Sequence, residues 1–250
     1  MLTEERHQII LKQLQMHNIV KLQDLIPLTG ASESTLRRDL QDLENCHKLL
    51  RIYGGAQNII SFHDEPALSQ KVTANTDDKD KIGKAAAALV NDNEVIFLDA
   101  GTTVQTIIPY LSDLNNLLVV TNSVDSASIL ADYQIETFIP GGKLKSSTKA
   151  IVGSTMTSSL ENYHFDKAFI GTNGFSIQAG FTTPDPEEAS TKEITIKNSN
   201  KAYVLADASK CGQVSFNRFA PLRDAELLTN ELPSKSLELL SRQTKVTEVK

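Results

Sequence analysis

The first sixty residues carry a helical apolar rhythm broken by turn signals. Between residues 3 and 16, Ile9, Ile10 and Leu14 fall at helical spacing, and Thr3 followed by Glu4 and Glu5 suits the positive end of a helix. A second short helix is predicted over residues 22–28, with Pro27 expected to end or distort it. Gly30 marks a turn, and Ser32 caps a third helix that runs to about Cys46. Residues 49–53 read as a strand, Gly54-Gly55 as a turn and residues 56–60 as a return strand. Three short helices and a small hairpin describe a winged helix-turn-helix over residues 1–60.

Residues 61–76 show no sustained period and read as a linker. From Asp77 onward helices alternate with short apolar strands. A helix with Ile82, Ala85, Ala86 and Leu89 precedes the strand Val95-Ile96-Phe97-Leu98, and another helix follows Thr103. Strands are predicted over residues 117–121, 135–139, 167–170 and 202–206, with helices from Ser123 and over residues 187–198. This alternation predicts an α/β domain with a largely parallel sheet over residues 77–250.

Charge sharpens the division. The chain has a formal net charge of −6, which read as a whole argues against a nucleic-acid partner. Residues 1–58 hold seven Lys and Arg against seven Asp and Glu; the remainder hold 18 against 24, the entire deficit. Cys46 and Cys211 lie far apart and the five histidines never take ligand spacing, so no disulfide framework, metal site or cofactor is expected. No apolar run approaches the ~20 residues of a membrane helix, and Met1-Leu2-Thr3-Glu4-Glu5-Arg6 is no secretory signal, so a cytoplasmic protein without membrane contact is expected.

The third helix has a reader's geometry. At 100° per residue, Leu36, Leu40 and Leu43 fall within about 60° of one another as a buried stripe. Ser34, Arg37, Arg38 and Gln41 lie about 100–200° away, with Asp39 and Asp42 to the side. An arginine pair alone is a solvated helix face. Joined to Ser32 and Thr35 at the turn and to Arg51 and Tyr53 on the wing, it points to phosphate and base-edge contacts with double-stranded DNA.

In the second domain, polar clusters stand where strands end, the ligand side of an open α/β sheet. Asp99-Ala100-Gly101-Thr102-Thr103 offers backbone N–H groups and two hydroxyls at a helix start, suited to an anion or simply to a turn. Thr121-Asn122-Ser123, Gly141-Gly142-Lys143, Gly171-Thr172-Asn173-Gly174 and Asp207-Ala208-Ser209-Lys210 recur in the same way. Lys192, on a predicted helix, reads by itself as an exposed lysine paired with Glu188 at i−4.

Arg6, Ile10 and Leu14, then Ser32-x-x-Thr35-Leu36-Arg37-Arg38-Asp39-Leu40 and Leu50-Arg51-Ile52-Tyr53-Gly54-Gly55-Ala56, resemble the DeoR-type bacterial transcriptional regulators. One departure is His47, where that family usually has glycine. The strand-end clusters, with Gly180-Phe181-Thr182-Thr183-Pro184 and Glu188-Ala189-x-x-Lys192, match the family's C-terminal sensor in order. The resemblance implies a sensor similar in fold to ribose-5-phosphate isomerase that binds a phosphorylated sugar. It implies Gly101, Thr102 and Thr103 on phosphate with Lys192 and Lys210 as cations, and Asp99, Asn122, Gly142 and Asn173 toward the sugar hydroxyls. Ser123, Lys143 and Gly171 complete the expected effector site. Residues 179–185 and 99–101 look closest to the fructose-operon repressors. The expectation is a homo-dimeric or homo-tetrameric repressor of a sugar operon, modulated by a sugar phosphate such as fructose 1-phosphate. The rival is an isomerase-like enzyme with an accessory N-terminal domain, for which Asp99, Asp166, Glu188 and Asp207 are the available carboxylates.

Overall fold

The computed structural model of the protein describes residues 1–17, 19–46, 48–58 and 65–250. The chain folds as two compact units, Met1–Ser61 and Phe62–Lys250. His47 and the residues of the linker up to 64 lie outside the described residues.

The first unit runs α1 (Thr3–His17), β1 (Ile19–Lys21), α2 (Leu22–Thr29), α3 (Glu33–Asn45), β2 (Leu49–Ile52) and β3 (Gly55–Asn58). Its core joins Ile10 and Leu14 of α1, Leu22 and Leu25 of α2, and Leu36, Leu40 and Leu43 of α3 with Leu49 and Ala56. The leucine stripe on α3 is therefore the docked face. Pro27 does not break α2, which continues to Thr29. The intrahelical bond it forgoes is the one to the Gln23 carbonyl, and both residues lie on the exposed side of the helix. The helix stops at Gly30, whose left-handed φ of 65° lets its N–H reach Ile26 O at 2.9 Å. β1, too short for a periodic signal, pairs antiparallel with β3, giving a three-stranded wing in the order β1-β3-β2.

The second unit continues with α4 (Leu68–Thr73), α5 (Thr76–Ala87), β4 (Val95–Leu98), α6 (Thr102–Gln105), β5 (Leu118–Thr121), α7 (Val124–Asp132) and β6 (Glu136–Phe138). The hairpin β7 (Lys143–Lys145) and β8 (Ala150–Val152) leads to α8 (Ser154–Leu160) and β9 (Phe165–Gly171). Then come β10 (Gly174–Ser176), β11 (Gly180–Thr183), α9 (Pro186–Lys197), β12 (Ser199–Leu205), β13 (Asn217–Ala220), β14 (Glu226–Asn230), α10 (Ser234–Ser241) and β15 (Val246–Val249). Seven strands form one parallel sheet in the order β15-β14-β12-β9-β4-β5-β6. Alternation along β4 sends Phe97 into one apolar core and Ile96 and Leu98 into the other, so both faces are covered.

From β4 the chain first winds out through β5 and β6, then returns to β9 on the other side of β4. The strand order thus reverses between β4 and β9, and the crevice at their carboxyl ends is where such sheets take ligands. The segment read as a linker contains α4, a helix with no buried residue, which explains why it leaves no apolar period.

Candidate functional site

The reading surface is built on α3. Ser32 Oγ accepts the Thr35 N–H at 3.3 Å and shares hydroxyl contacts with Ser34 at 3.0 Å and Thr35 at 2.9 Å, which caps the helix start. Arg37 is exposed and paired with Glu33 one turn back at 2.6 Å. An exposed pair of this kind is worth little, so a DNA phosphate can replace the carboxylate. Arg38 is exposed and has no partner among the described residues. Gln41 donates to Asn45 Oδ1 at 3.0 Å and accepts from Arg51 Nη1, while Glu44 accepts the Arg51 N–H at 2.8 Å. The wing is therefore stitched to the reading helix. Tyr53 stands fully exposed at the hairpin tip.

Asp39, expected beside the reading face, is only 2% exposed and points into the unit. Arg6 of α1 grips it through Nε at 2.7 Å and Nη2 at 2.9 Å, a planar fork that fixes α3 on α1. The signal was present in the spacing: Asp39 lies about 60° from Leu36, at the edge of the buried stripe.

The second site lies at the carboxyl ends of β4, β5 and β9. Asp99, 1% exposed, bridges the crevice: its Oδ2 accepts the Gly171 N–H at 2.9 Å and the Lys192 ammonium. Lys192 is 4% exposed and lies 5.7 Å from the Phe219 ring centre. Its partner is thus Asp99 and not Glu188, because α9 turns Glu188, Thr191, Lys192 and Thr195, a polar stripe, inward. Asn122 Oδ1 accepts the Ala100 N–H at 2.8 Å, while its buried Nδ2 has no partner among the described residues. Ser123 caps α7 by accepting the Ser126 N–H at 3.1 Å. An open cleft beside these groups is lined by Gly101, Thr102, Ser123 and Thr148, together with Leu68 and Val72 of α4. Thr103 is turned in and buried.

α6 is only four residues long, so its dipole supplies little of the positive field expected there. Lysines supply it instead. Lys79 of α5, 6% exposed, was not singled out from the sequence, yet it shares a helix face with Ile82, Gly83 and Ala86. Its ammonium donates to the Lys71 carbonyl, which also accepts the Thr102 hydroxyl at 3.5 Å. Gly83 lets α5 pack closely on the residue after α6: a Cβ there would fall 2.1 Å from Thr106 Oγ1, whose hydroxyl donates to the Lys79 carbonyl at 2.8 Å. Burial pushes the Lys79 ammonium below the ordinary lysine range; Asp207 opposes that, while Lys210 and Lys71 reinforce it. Lys210 is lowered by burial too, with Asp207 opposing and Lys71 adding to it. Asp207 is itself engaged by Asn75 Nδ2 at 3.0 Å and the Ser209 N–H at 3.0 Å. Lys79 and Lys210 share the field of the one carboxylate of Asp207, while Lys71 is paired with Glu65 at 2.8 Å; two lysines on one carboxylate favour an added anion.

Other expected residues stand apart from this cleft. Lys143 pairs loosely with Glu187 at 3.5 Å on the surface. Gly142 packs against β8, where a Cβ would meet Val152 O at 2.7 Å. Asn173 Oδ1 accepts the Thr183 hydroxyl at 3.0 Å. The lysine that turns inward on this hairpin is Lys145, whose ammonium touches Glu65 at 2.7 Å, Asp185 at 3.0 Å and Glu188 at 3.0 Å.

The four carboxylates available for acid–base chemistry are all hydrogen-bonded in place. Asp99, Glu188 and Asp207 are held as described, and Asp166 accepts the Val95 N–H at 2.9 Å at the opposite end of the sheet. Among the described residues no three His, Cys, Asp or Glu side chains gather to hold a metal ion, and no helix is long and apolar enough to cross a membrane.

Comparison with known proteins agrees with this division. Residues 6–62 match a DeoR-like helix-turn-helix domain and residues 74–231 the DeoR C-terminal sensor domain. The chain is 43% identical over its whole length to the full length of the HTH-type transcriptional regulator FruR of Bacillus subtilis. It is 36% identical to the HTH-type transcriptional repressor GlcR of the same organism, covering 97% of this chain and 94% of that one. Identity is 32% with the lactose phosphotransferase system repressor of Streptococcus mutans, over 97% and 98%. Among solved structures, ribose 5-phosphate isomerase A of Methanocaldococcus jannaschii aligns over 55% of each chain at 23% identity, with a TM-score of 0.42. The chain belongs to the DeoR family: it is a transcriptional regulator, not an enzyme, with a DNA-binding helix-turn-helix joined to a C-terminal sensor.

Proposed function

We propose that this regulator represses a sugar-utilisation operon, fructose being the sugar, and that its effector is a sugar phosphate such as fructose 1-phosphate. The observation that carries the sensor half is the pair Lys79 and Lys210 in the field of Asp207, beside the Thr102 hydroxyl, the partnerless Asn122 Nδ2 and the cleft. A phosphate there gains two cations that now repel each other, Lys79 and Lys210, and Asn122 keeps a donor for a sugar hydroxyl. The choice of fructose rests on residues 179–185 and 99–101, which resemble those of fructose-operon repressors.

On the DNA side, Ser34, Arg37, Arg38 and Gln41 of α3 read the major groove, with Ser32 and Thr35 at the helix start and Arg51 and Tyr53 on the wing. A homo-dimer or homo-tetramer presents two such helices to repeated half-sites. The effector weakens operator affinity by its differential affinity for the DNA-incompetent arrangement.

The test is a gel shift with DNA from upstream of the sugar operon, with and without fructose 1-phosphate. The expected outcome is a specific complex that dissolves as the sugar phosphate is added. A complex indifferent to every sugar phosphate tried sinks the sensor half.

A further inference from the structure

The Lys71 carbonyl takes both the Lys79 ammonium and the Thr102 hydroxyl, two of the donors that the proposed effector phosphate requires. We infer that the segment from Glu65 to Thr73 is a strap docked across the effector cleft, which the phosphate must displace in order to bind. This rests on the sugar-phosphate reading above and adds to it the regulation of that site.

Three independent sets of contacts hold the strap. Its carbonyl sits on Lys79 and Thr102, and Leu68 and Val72 cover the cleft with apolar surface. At its start, Glu65 is clasped between Lys71 at 2.8 Å and Lys145 at 2.7 Å. Burial works against the Glu65 carboxylate, but the two ammonium groups outweigh it and hold the carboxyl below the usual range. Lys145 in turn is shared with Asp185 and Glu188, and Glu188 also accepts the Thr148 hydroxyl at 2.8 Å.

The strap ends on a pivot. Asn75 has a left-handed φ of 52°, uncommon for a residue other than glycine, and its side chain is anchored to Asp207. A strap that is clasped at one end, hinged at the other and exposed along its length suits a two-state element.

Displacement has a consequence along the chain. From Asn58, where β3 ends, seven residue steps lead to Glu65, and they span at most about 25 Å at 3.3–3.6 Å each. With the strap released, the first anchor becomes Asn75, and the seventeen steps from Asn58 reach about 60 Å. The effector thereby lengthens the reach of the chain between the last residue of the wing and the first anchor on the sensor. By linkage, whatever loosens the strap tightens effector binding.

Hydrogen exchange of the full-length protein followed by mass spectrometry tests this, with fructose 1-phosphate and inorganic phosphate as ligands, fructose as the control, and calorimetry run alongside to establish binding. Exchange of residues 65–74 should rise several-fold when either phosphate binds and stay unchanged with fructose. Glu65→Gln, outside the binding donors, should raise fructose 1-phosphate affinity roughly three- to tenfold, because less of the protein has its donors occupied by the strap. Binding with unchanged or slowed exchange over residues 65–74 overturns the strap and leaves the sugar-phosphate reading standing; so does an unchanged or weaker affinity in Glu65→Gln. No binding of either phosphate overturns both.

Discussion

The two units use charge in opposite ways. In the reader, Arg37, Arg38 and Arg51 stand on the surface, held by an i−4 glutamate, by nothing among the described residues, or by a neutral glutamine. In the sensor, Lys79 and Lys192 are almost fully buried, one bound to a carbonyl and the other to a carboxylate. Exposed charge costs little to keep and little to remove, so its effect shows in DNA affinity and not in stability. Buried charge carries a desolvation penalty, and its removal is felt in folding or ligand binding according to whether a partner is left behind.

The largest effect is expected at Lys192. Lys192→Met leaves Asp99 buried without its cation, and the sensor should lose about 3–5 kcal/mol of stability, read from the urea unfolding midpoint. An unchanged midpoint would place this lysine with the exposed ones. Arg38→Ala should weaken specific operator binding about ten- to a hundredfold, from the 1–3 kcal/mol of a bidentate base contact, with no change in unfolding midpoint. Equal losses on specific and random DNA would demote Arg38 to a phosphate contact.

A smaller effect follows from titration. The Lys79 and Lys210 ammonium groups are held below the ordinary lysine value. Their charge is therefore lost first as pH rises, and sugar-phosphate affinity should begin to fall on the alkaline side before ordinary lysines titrate. In that same window the unfolded chain binds more protons than the folded one, so these two groups make the fold more stable with rising pH even as the ligand weakens. Calorimetry and unfolding across that range should therefore move in opposite directions. The smallest change is expected at Lys48, exposed beside the wing, where Lys48→Ala should lower the salt dependence of DNA binding by about one counterion and leave sequence preference intact.

This contrast also governs what the sequence discloses. The α3 stripe of Leu36, Leu40 and Leu43 and the arginines opposite it were legible because burial there follows the helical period. The apolar strands β4, β5, β9 and β12 were legible for a different reason, as short continuous apolar runs covered on both faces. Read by itself Lys192 passes for a surface residue paired with Glu188, and only the resemblance points to it as a site residue, since nothing local shows that α9 buries its polar stripe. Asp39 and Lys79 carried a signal, each lying along an apolar helix face, but a charged residue in that position is ordinarily discounted. Glu65 and Lys145 are 80 residues apart, and only the fold brings them together. β1 and α4 are too short for any period to register.

The most direct test of the account compares the wild-type protein with Lys79→Met in operator binding by fluorescence anisotropy, each titrated with fructose 1-phosphate. Without ligand Lys79→Met should bind operator somewhat more weakly than the wild type, because the strap loses one of its anchors. Sugar phosphate should then weaken wild-type binding about five- to 150-fold, the range of ordinary allosteric coupling, and leave Lys79→Met almost unmoved. A Lys79→Met protein that responds like the wild type would contradict the assignment of Lys79 and Lys210 as the effector's seat.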